Sequence, residues 1–311
     1  MSFSRYILLH TFAIWTGFTR LAYIGRFSRE ITKFAMATQF PTRKLGKNGP
    51  EVPALGLGLM GLSSWYGPTA PDPERFEFLD RAVELGETFW DSADIYGDSE
   101  DLVGKWLART GKRDDIFLAT KFAFLHIGDQ PGPIFNTSPK YVKIACEKSL
   151  KRLGVRCIDL YYYHRVDGVT PIEETVKAMV ELKNEGMIKY IGFSEISSET
   201  LRRACKVHHI DAVQIEYSPW SLDIEHPDIN LLKTCRELGV ATVAYSPLGH
   251  GILTGAYKSV DDLNASDVRR YMPRFSPENF PKNLELVNAL SAFAETKGCT
   301  SSQLTLAWLL A

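Results

Sequence analysis

The chain has 311 residues, 45% hydrophobic and 23% charged, a globular composition with material for one large core or two modest ones. A formal net charge of -1 supplies no general positive field for a phosphate backbone or an anionic bilayer, so neither nucleic acid nor membrane is an expected partner. Five widely spaced cysteines without a C-x-x-C pair argue against a disulfide framework and a zinc knuckle, and fit a reducing, cytoplasmic compartment.

The amino end reads differently from the rest. "YILLHTFAIWTGF" is a 13-residue, largely apolar run, too short to span a bilayer, and Arg20, Arg26, Arg29 and Lys33 follow it. Residues 1–35 therefore read as an extension outside the fold, with a signal or transit peptide as the alternative, and residues 36–311 as the folded domain. Charged and apolar residues alternate around Lys47-Asn48-Gly49-Pro50, which predicts a β-hairpin at the start of that domain.

"GLGLMG" at 56–61 matches G-x-G-x-x-G, but Gly67, Pro68, Pro71 and Pro73 follow instead of a helix. No helix N-terminus is then expected to face a phosphate, and the glycines read as a strand end where backbone approaches something closely. Beyond them "TFWDSA", "DIFLATKFAF", "CIDLYYYH", "KYIGFS", "DAVQIEYS" and "ATVAYS" are strand-like runs separated by segments of helical period. Asp72-Pro73, Ser138-Pro139 and Thr170-Pro171 mark helix starts, Gly86 and Gly154 helix ends. Such alternation predicts a parallel sheet covered by helices, either an open doubly wound sheet or a (β/α)8 barrel.

The strand ends favour the barrel. Asp91 and Tyr96, Lys121, His164, Ser194, Gln214, and Tyr245 with Ser246 close successive apolar runs, the layout of a barrel mouth. Taken singly, each has a structural explanation; a lone histidine after aromatics is more often structural than catalytic. Together they suit one chemistry. A phenol titrates near ~10, an adjacent ammonium lowers that value, a carboxylate keeps the ammonium charged, and an imidazole donates a second hydrogen bond to a developing oxyanion. Tyr96, Lys121, Asp91 and His164 could thus protonate a carbonyl oxygen while another group attacks the carbon. No P-loop, H-E-x-x-H, G-x-S-x-G or metal-spaced cluster competes for the role.

"DSADIYG", "LATK", "IDLYYYHR", "IGFSE" and "AYSPLGHGILTG" stand in the order of the segments of the aldo-keto reductase superfamily, which the chain resembles from Phe40 onward. The later segments look most like the branch holding pyridoxal reductase-like and auxin-induced-type members, related to potassium-channel β subunits. The resemblance implies a (β/α)8 TIM barrel and an NADPH-dependent carbonyl reductase, with NADH left open and an aldehyde or ketone as small-molecule substrate. It assigns Tyr96 as proton donor, Lys121 and Asp91 as its tuning partners and His164 as carbonyl orienter. Tyr245 would stack on nicotinamide, Ser194 and Gln214 would bond the carboxamide, and Met60 and Asp91 would complete the cofactor site. Ser246, Pro247, Leu248, His250 and Gly251 would wrap the pyrophosphate; Trp65 and Tyr66 would line the substrate side, with Trp220 and Arg274 on neighbouring loops.

Three departures bear on function. Glu195 stands where many relatives have asparagine or arginine, placing a carboxylate near the carboxamide site. His164 stands where the channel β subunits carry asparagine, which favours a working reductase over the alternative of a non-catalytic cofactor-binding subunit. Only seven strand-helix units are countable, and "SSQLTLAWLLA" reads as the helix after the seventh strand. The eighth unit is then expected to be missing, leaving two open sheet edges and, as a further alternative, an inactive truncated fragment.

Overall fold

Apolar runs that meet helices on one side and one another on the other have no wet face, and seven of them form parallel strands. The computed structural model describes residues 7–11, 41–126 and 134–311. In chain order the elements are β1 (Ile7–Thr11), β2 (Thr42–Lys44), β3 (Glu51–Pro53), β4 (Leu55–Gly58), α1 (Met60–Ser63), α2 (Asp72–Glu84), β5 (Phe89–Asp91) and α3 (Ser99–Thr110). They continue with β6 (Phe117–Phe122), β7 (Phe124–His126), β8 (Ile134–Phe135), α4 (Pro139–Leu153), β9 (Ile158–Tyr163), α5 (Ile172–Asn184), β10 (Ile188–Ser194) and α6 (Ser198–Val207). Last come β11 (Ala212–Glu216), α7 (Leu231–Leu238), β12 (Ala241–Tyr245), α8 (Phe280–Thr296) and α9 (Ser301–Leu310). No helix among the described residues is long and apolar enough to cross a membrane.

Strands β4, β5, β6, β9, β10, β11 and β12 follow one another around a barrel, all parallel. The edges of β4 and β12, expected to be open, are not. The backbone of β1 lies between them, Ile7 opposite Thr242 and Leu9 opposite both Ala244 and Leu55, and closes the ring. Five residues of the extension that the sequence places outside the fold thus occupy the eighth position, and the remainder of residues 1–35, with the targeting question, lies outside the described residues. Unpaired N–H and C=O groups on two facing edges give any short extended apolar segment a ladder to join.

The predicted hairpin is present, β2 against β3 with Arg43 opposite Val52. It docks at the amino-terminal end of the barrel, where Lys47 N–H donates to Gly239 O at 2.8 Å and Leu45 and Val52 join the interior cluster of Phe89, Leu160, Tyr162 and Val243. Period-two alternation sorts the rest: Tyr161 and Tyr163 pack outward against the helices, whereas Tyr162 fills the barrel. Its ring leaves no room on β10, where a Cβ added at Gly192 would come 2.4 Å from Tyr162 Cδ1.

Of the three predicted helix caps only one forms. Ser138 accepts from Tyr141 N–H at 3.4 Å, with Pro139 at the first helical position. Asp72 is drawn instead into ion pairs with Arg75 and Lys105, and Thr170 donates its hydroxyl to Asp167 at 2.7 Å, while Pro171, without a side-chain donor or acceptor, takes the cap position before Ile172 of α5. A charged partner outcompetes a backbone amide at both places. A single helical turn, α1, starts at Met60 within "GLGLMG", contrary to the reading of the prolines, but a strand-to-helix dinucleotide fold does not form.

Glu87, in the turn before β5, is 9% exposed, and its Oε1 has no hydrogen-bond partner among the described residues. Burial raises its carboxyl from the ordinary 4.5 to about 8. The folded chain therefore holds a proton that the unfolded chain releases, and the stability present below pH 4.5 is lost as pH rises towards 8. Glu87→Gln should raise the unfolding free energy by on the order of 1–3 kcal/mol at pH 8, with a gain that shrinks towards pH 5. Denaturant titrations at the two pH values check this; a gain independent of pH would sink the assignment.

Candidate active site

Inward parity brings the strand-end residues together. Along β5 Phe89 and Asp91 face the barrel interior while Trp90 packs outward on Trp106 of α3, and along β6 Ala119 and Lys121 share the inner face. The ladder sets Gly58 beside Asp91, Lys121 beside Tyr162, Ser194 beside Gln214 and Glu216 beside Tyr245. The carboxyl end of the barrel opens into a cavity of about 590 Å³.

At its floor lies a buried ion pair. Lys121 Nζ contacts Asp91 Oδ1, donates to Ser92 O at 2.7 Å and reaches the Tyr96 hydroxyl at 3.3 Å. Gln214 Nε2 donates to the other Asp91 oxygen at 2.9 Å, so both carboxylate oxygens are held. Burial alone would lower the Lys121 pKa, but the charge of Asp91 and the hydrogen bonds outweigh it and hold the ammonium above its ordinary range. For Tyr96 the balance differs from the expectation: burial raises the phenol above its ordinary value, and the opposing pull of Lys121 does not overcome it. The phenol is therefore fully protonated at neutral pH.

His164 follows β9 and meets the Tyr96 ring edge-on, centroids 6.0 Å apart. Burial, then Lys121 and Arg165, depress its pKa well below the ordinary value, so it is a neutral imidazole. Its Nδ1 is buried without a hydrogen-bond partner among the described residues. Arg165 donates to His164 O at 2.8 Å and to Ser194 Oγ at 3.2 Å, tying the ends of β9 and β10.

The cavity wall holds most of the predicted residues: Met60, Trp65, Tyr66, Asp91, Tyr96, His164, Ser194, Gln214, Tyr245, Ser246 and His250, with Arg274. Lys121 lies wholly beneath it, and Pro247, Leu248 and Gly251 are buried residues of the 246–251 loop that do not line the cavity. That loop needs left-handed backbone at Ser246, Gly249, His250 and Gly251, which explains its glycines. Trp220 is not on the wall; its indole N–H donates to Asn283 at 3.0 Å, and its ring carries the Arg274 guanidinium. Glu195 also lies off the wall, its carboxylate on the Tyr245 hydroxyl and 3.4 Å from the Glu216 N–H.

The sequence does not single out Ile95, Phe124, Arg165, Glu216, Val268, Met272 or Pro273, which complete the lining together with Gly58 at the end of β4. At the far end the Tyr66 hydroxyl meets His250 Nδ1 at 2.9 Å, Arg274 pairs with Glu216, and Arg269 donates to His250 O at 2.7 Å. Burial, with Arg274 and Arg269, lowers His250 to about 4, so it is neutral here.

The Aldo/keto reductase family profile matches residues 54–311. This chain belongs to the aldo/keto reductase family. It is 56% identical over 276 residues to aldo-keto reductase str7 of Strobilurus tenacellus, covering 87% of this chain and 80% of that protein. Aldo-keto reductase yakc [NADP(+)] of Schizosaccharomyces pombe is 49% identical over 273 residues, covering 87% and 79%. Among solved structures, glycerol dehydrogenase AKR11B4 of Gluconobacter oxydans superposes with a TM-score of 0.75 at 26% identity, over 86% of this chain and 82% of that one. The thermostable aldo-keto reductase Tm1743 gives 0.67 at 30% identity, over 87% and 85%. The barrel with its amino-terminal hairpin is thus the aldo/keto reductase barrel, and the chain is an oxidoreductase.

Proposed function

We propose that the chain reduces the carbonyl of an aldehyde or ketone to an alcohol, with NADPH as reductant and Tyr96 as proton donor. The observation that carries this reading is the protonated Tyr96 hydroxyl 3.3 Å from the Lys121 ammonium at the floor of an open cavity. NADPH, when bound, supplies the hydride; the name of the yakc relative supports that choice of cofactor. The donor set fits it: Ser194 and Gln214 offer buried amide and hydroxyl groups for a carboxamide, the Tyr245 ring offers a stacking face, and the 246–251 loop curls beside them.

The substrate oxygen would sit between Tyr96 and His164, accepting a hydrogen bond from each. As the carbon gains the hydride, the Tyr96 O–H bond breaks, its proton passes to the oxygen, and Lys121 stabilises the phenolate left behind. Asp91 keeps Lys121 charged throughout. Trp65, Tyr66, Ile95 and Phe124 give the pocket apolar and aromatic walls, which exclude water and favour an apolar or aromatic carbonyl compound. Incubation with NADPH and 4-nitrobenzaldehyde should yield 4-nitrobenzyl alcohol in step with the fall in NADPH absorbance. Saturable NADPH binding without alcohol formation from a panel of aldehydes and ketones would overturn the reading.

A further inference from the structure

Two backbone carbonyls on either side of Tyr96 converge on one guanidinium. Arg152, in the last turn of α4, donates to Asp94 O at 3.2 Å and to Gly97 O at 2.6 Å. Two carboxylates of α3 hold it there: Glu100 Oε2 lies 2.9 Å from Nη1, and Asp101 Oδ2 lies 2.9 Å from Nε and 2.7 Å from Nη2. The fully buried Glu100 uses its other oxygen to accept from Thr120 Oγ1 at 2.7 Å. Thr120 precedes Lys121 on β6, and the alternation that turns Lys121 into the barrel turns Thr120 out to meet α3.

A continuous set of hydrogen bonds therefore runs from the strand that carries Lys121, through α3 and α4, to both ends of the loop that carries Tyr96. The loop is confined on its other side as well. Gly97 has φ +55°, and a Cβ there would come 2.9 Å from Ser63 O of α1. Stability alone is a poor account of the cluster, because burying a guanidinium and a carboxylate is close to neutral against an apolar substitute. What an arginine adds is reach: its planar fork spans two carbonyls and two carboxylates at once, which a lysine ammonium cannot.

We infer that Arg152 and Glu100 are positioning residues that hold the Tyr96 hydroxyl at its working distance from Lys121 and the substrate oxygen. The inference rests on Tyr96 being the proton donor. Arg152→Lys keeps a cation against Glu100 and Asp101 but loses the bridge. It should lower kcat about ten- to a hundredfold, since small misplacements of reacting groups have effects on that scale. The KM for 4-nitrobenzaldehyde and the NADPH dissociation constant, read from protein fluorescence in the absence of substrate, should stay within about twofold of wild type.

A double-mutant cycle separates positioning from general loosening. Arg152→Lys added to Tyr96→Phe should cause no further loss, because there is no hydroxyl left to misplace. Thr120→Val, which removes the Glu100 partner at nearly constant shape, should lower kcat in the same direction with NADPH binding intact, and serves where Arg152→Lys does not fold. A wild-type kcat in the folded variant, or a full additional loss on top of Tyr96→Phe, would overturn the inference. Wild-type turnover by Tyr96→Phe alone would instead overturn the proton-donor reading, and the positioning role with it.

Discussion

Tyr96→Phe is expected to reduce kcat for aldehyde reduction by about two orders of magnitude or more, while NADPH binds with its wild-type dissociation constant. The substitution is nearly silent for packing. Phenylalanine keeps the edge-on contact with His164 and the ring beneath the Lys121 ammonium, 4.8 Å from the centroid. Lys121 retains Asp91 and its 2.7 Å bond to Ser92 O, so no charge is left without a partner. Only the transferable proton is removed. His164 is no substitute donor of charge, since burial holds it neutral, and water would have to enter a pocket walled by Trp65, Ile95 and Phe124. Steady-state rates beside fluorescence titration of NADPH check both halves of the expectation. A mutant within threefold of wild type in kcat would remove Tyr96 from the mechanism.

That expectation draws on what the sequence makes legible and on one property that it hides. Polar residues at the ends of successive apolar runs are visible in the sequence, and inward parity is enough to bring Asp91, Lys121, His164, Ser194, Gln214 and Tyr245 to one end of the barrel. The degree of burial is not visible. Spacing suggests a phenol lowered by its lysine, yet enclosure outweighs that charge and leaves Tyr96 raised. Arg165 and Glu216 escape notice for a related reason: charged residues near strand ends look like solvated surface until the chain folds them over a cavity. Thr170 and Asp72 carry good cap chemistry and spend it elsewhere, on partners far or near that no local pattern specifies. The eighth barrel position is the least legible part, because Ile7–Thr11 are separated by over two hundred residues from β12, the strand they pair with.

Lys121→Met should separate what the buried ion pair does for the fold from what it does for the chemistry. Methionine fills much of the lysine volume without its charge, leaving the Asp91 carboxylate 3% exposed beside an apolar side chain, with Gln214 still donating to its other oxygen. Removing one member of a buried pair destabilises by about 3–5 kcal/mol, because the other keeps its desolvation penalty and loses the attraction that offset it. Turnover should fall by at least about a hundredfold, since the phenolate formed at Tyr96 would have no neighbouring cation. Adding Asp91→Asn to Lys121→Met replaces the stranded carboxylate with a neutral amide of the same shape. The double variant should recover most of the lost stability, to within about 1–2 kcal/mol of wild type, and recover none of the rate. Denaturant unfolding and NADPH-linked turnover of the three proteins measure the two effects separately. Were Lys121→Met as stable as wild type, the Lys121–Asp91 pair would contribute nothing to the fold, and the desolvation of a stranded carboxylate would not govern this site. Were the double variant active, the pair would be structural, and proton transfer from Tyr96 would not depend on a cation beside it.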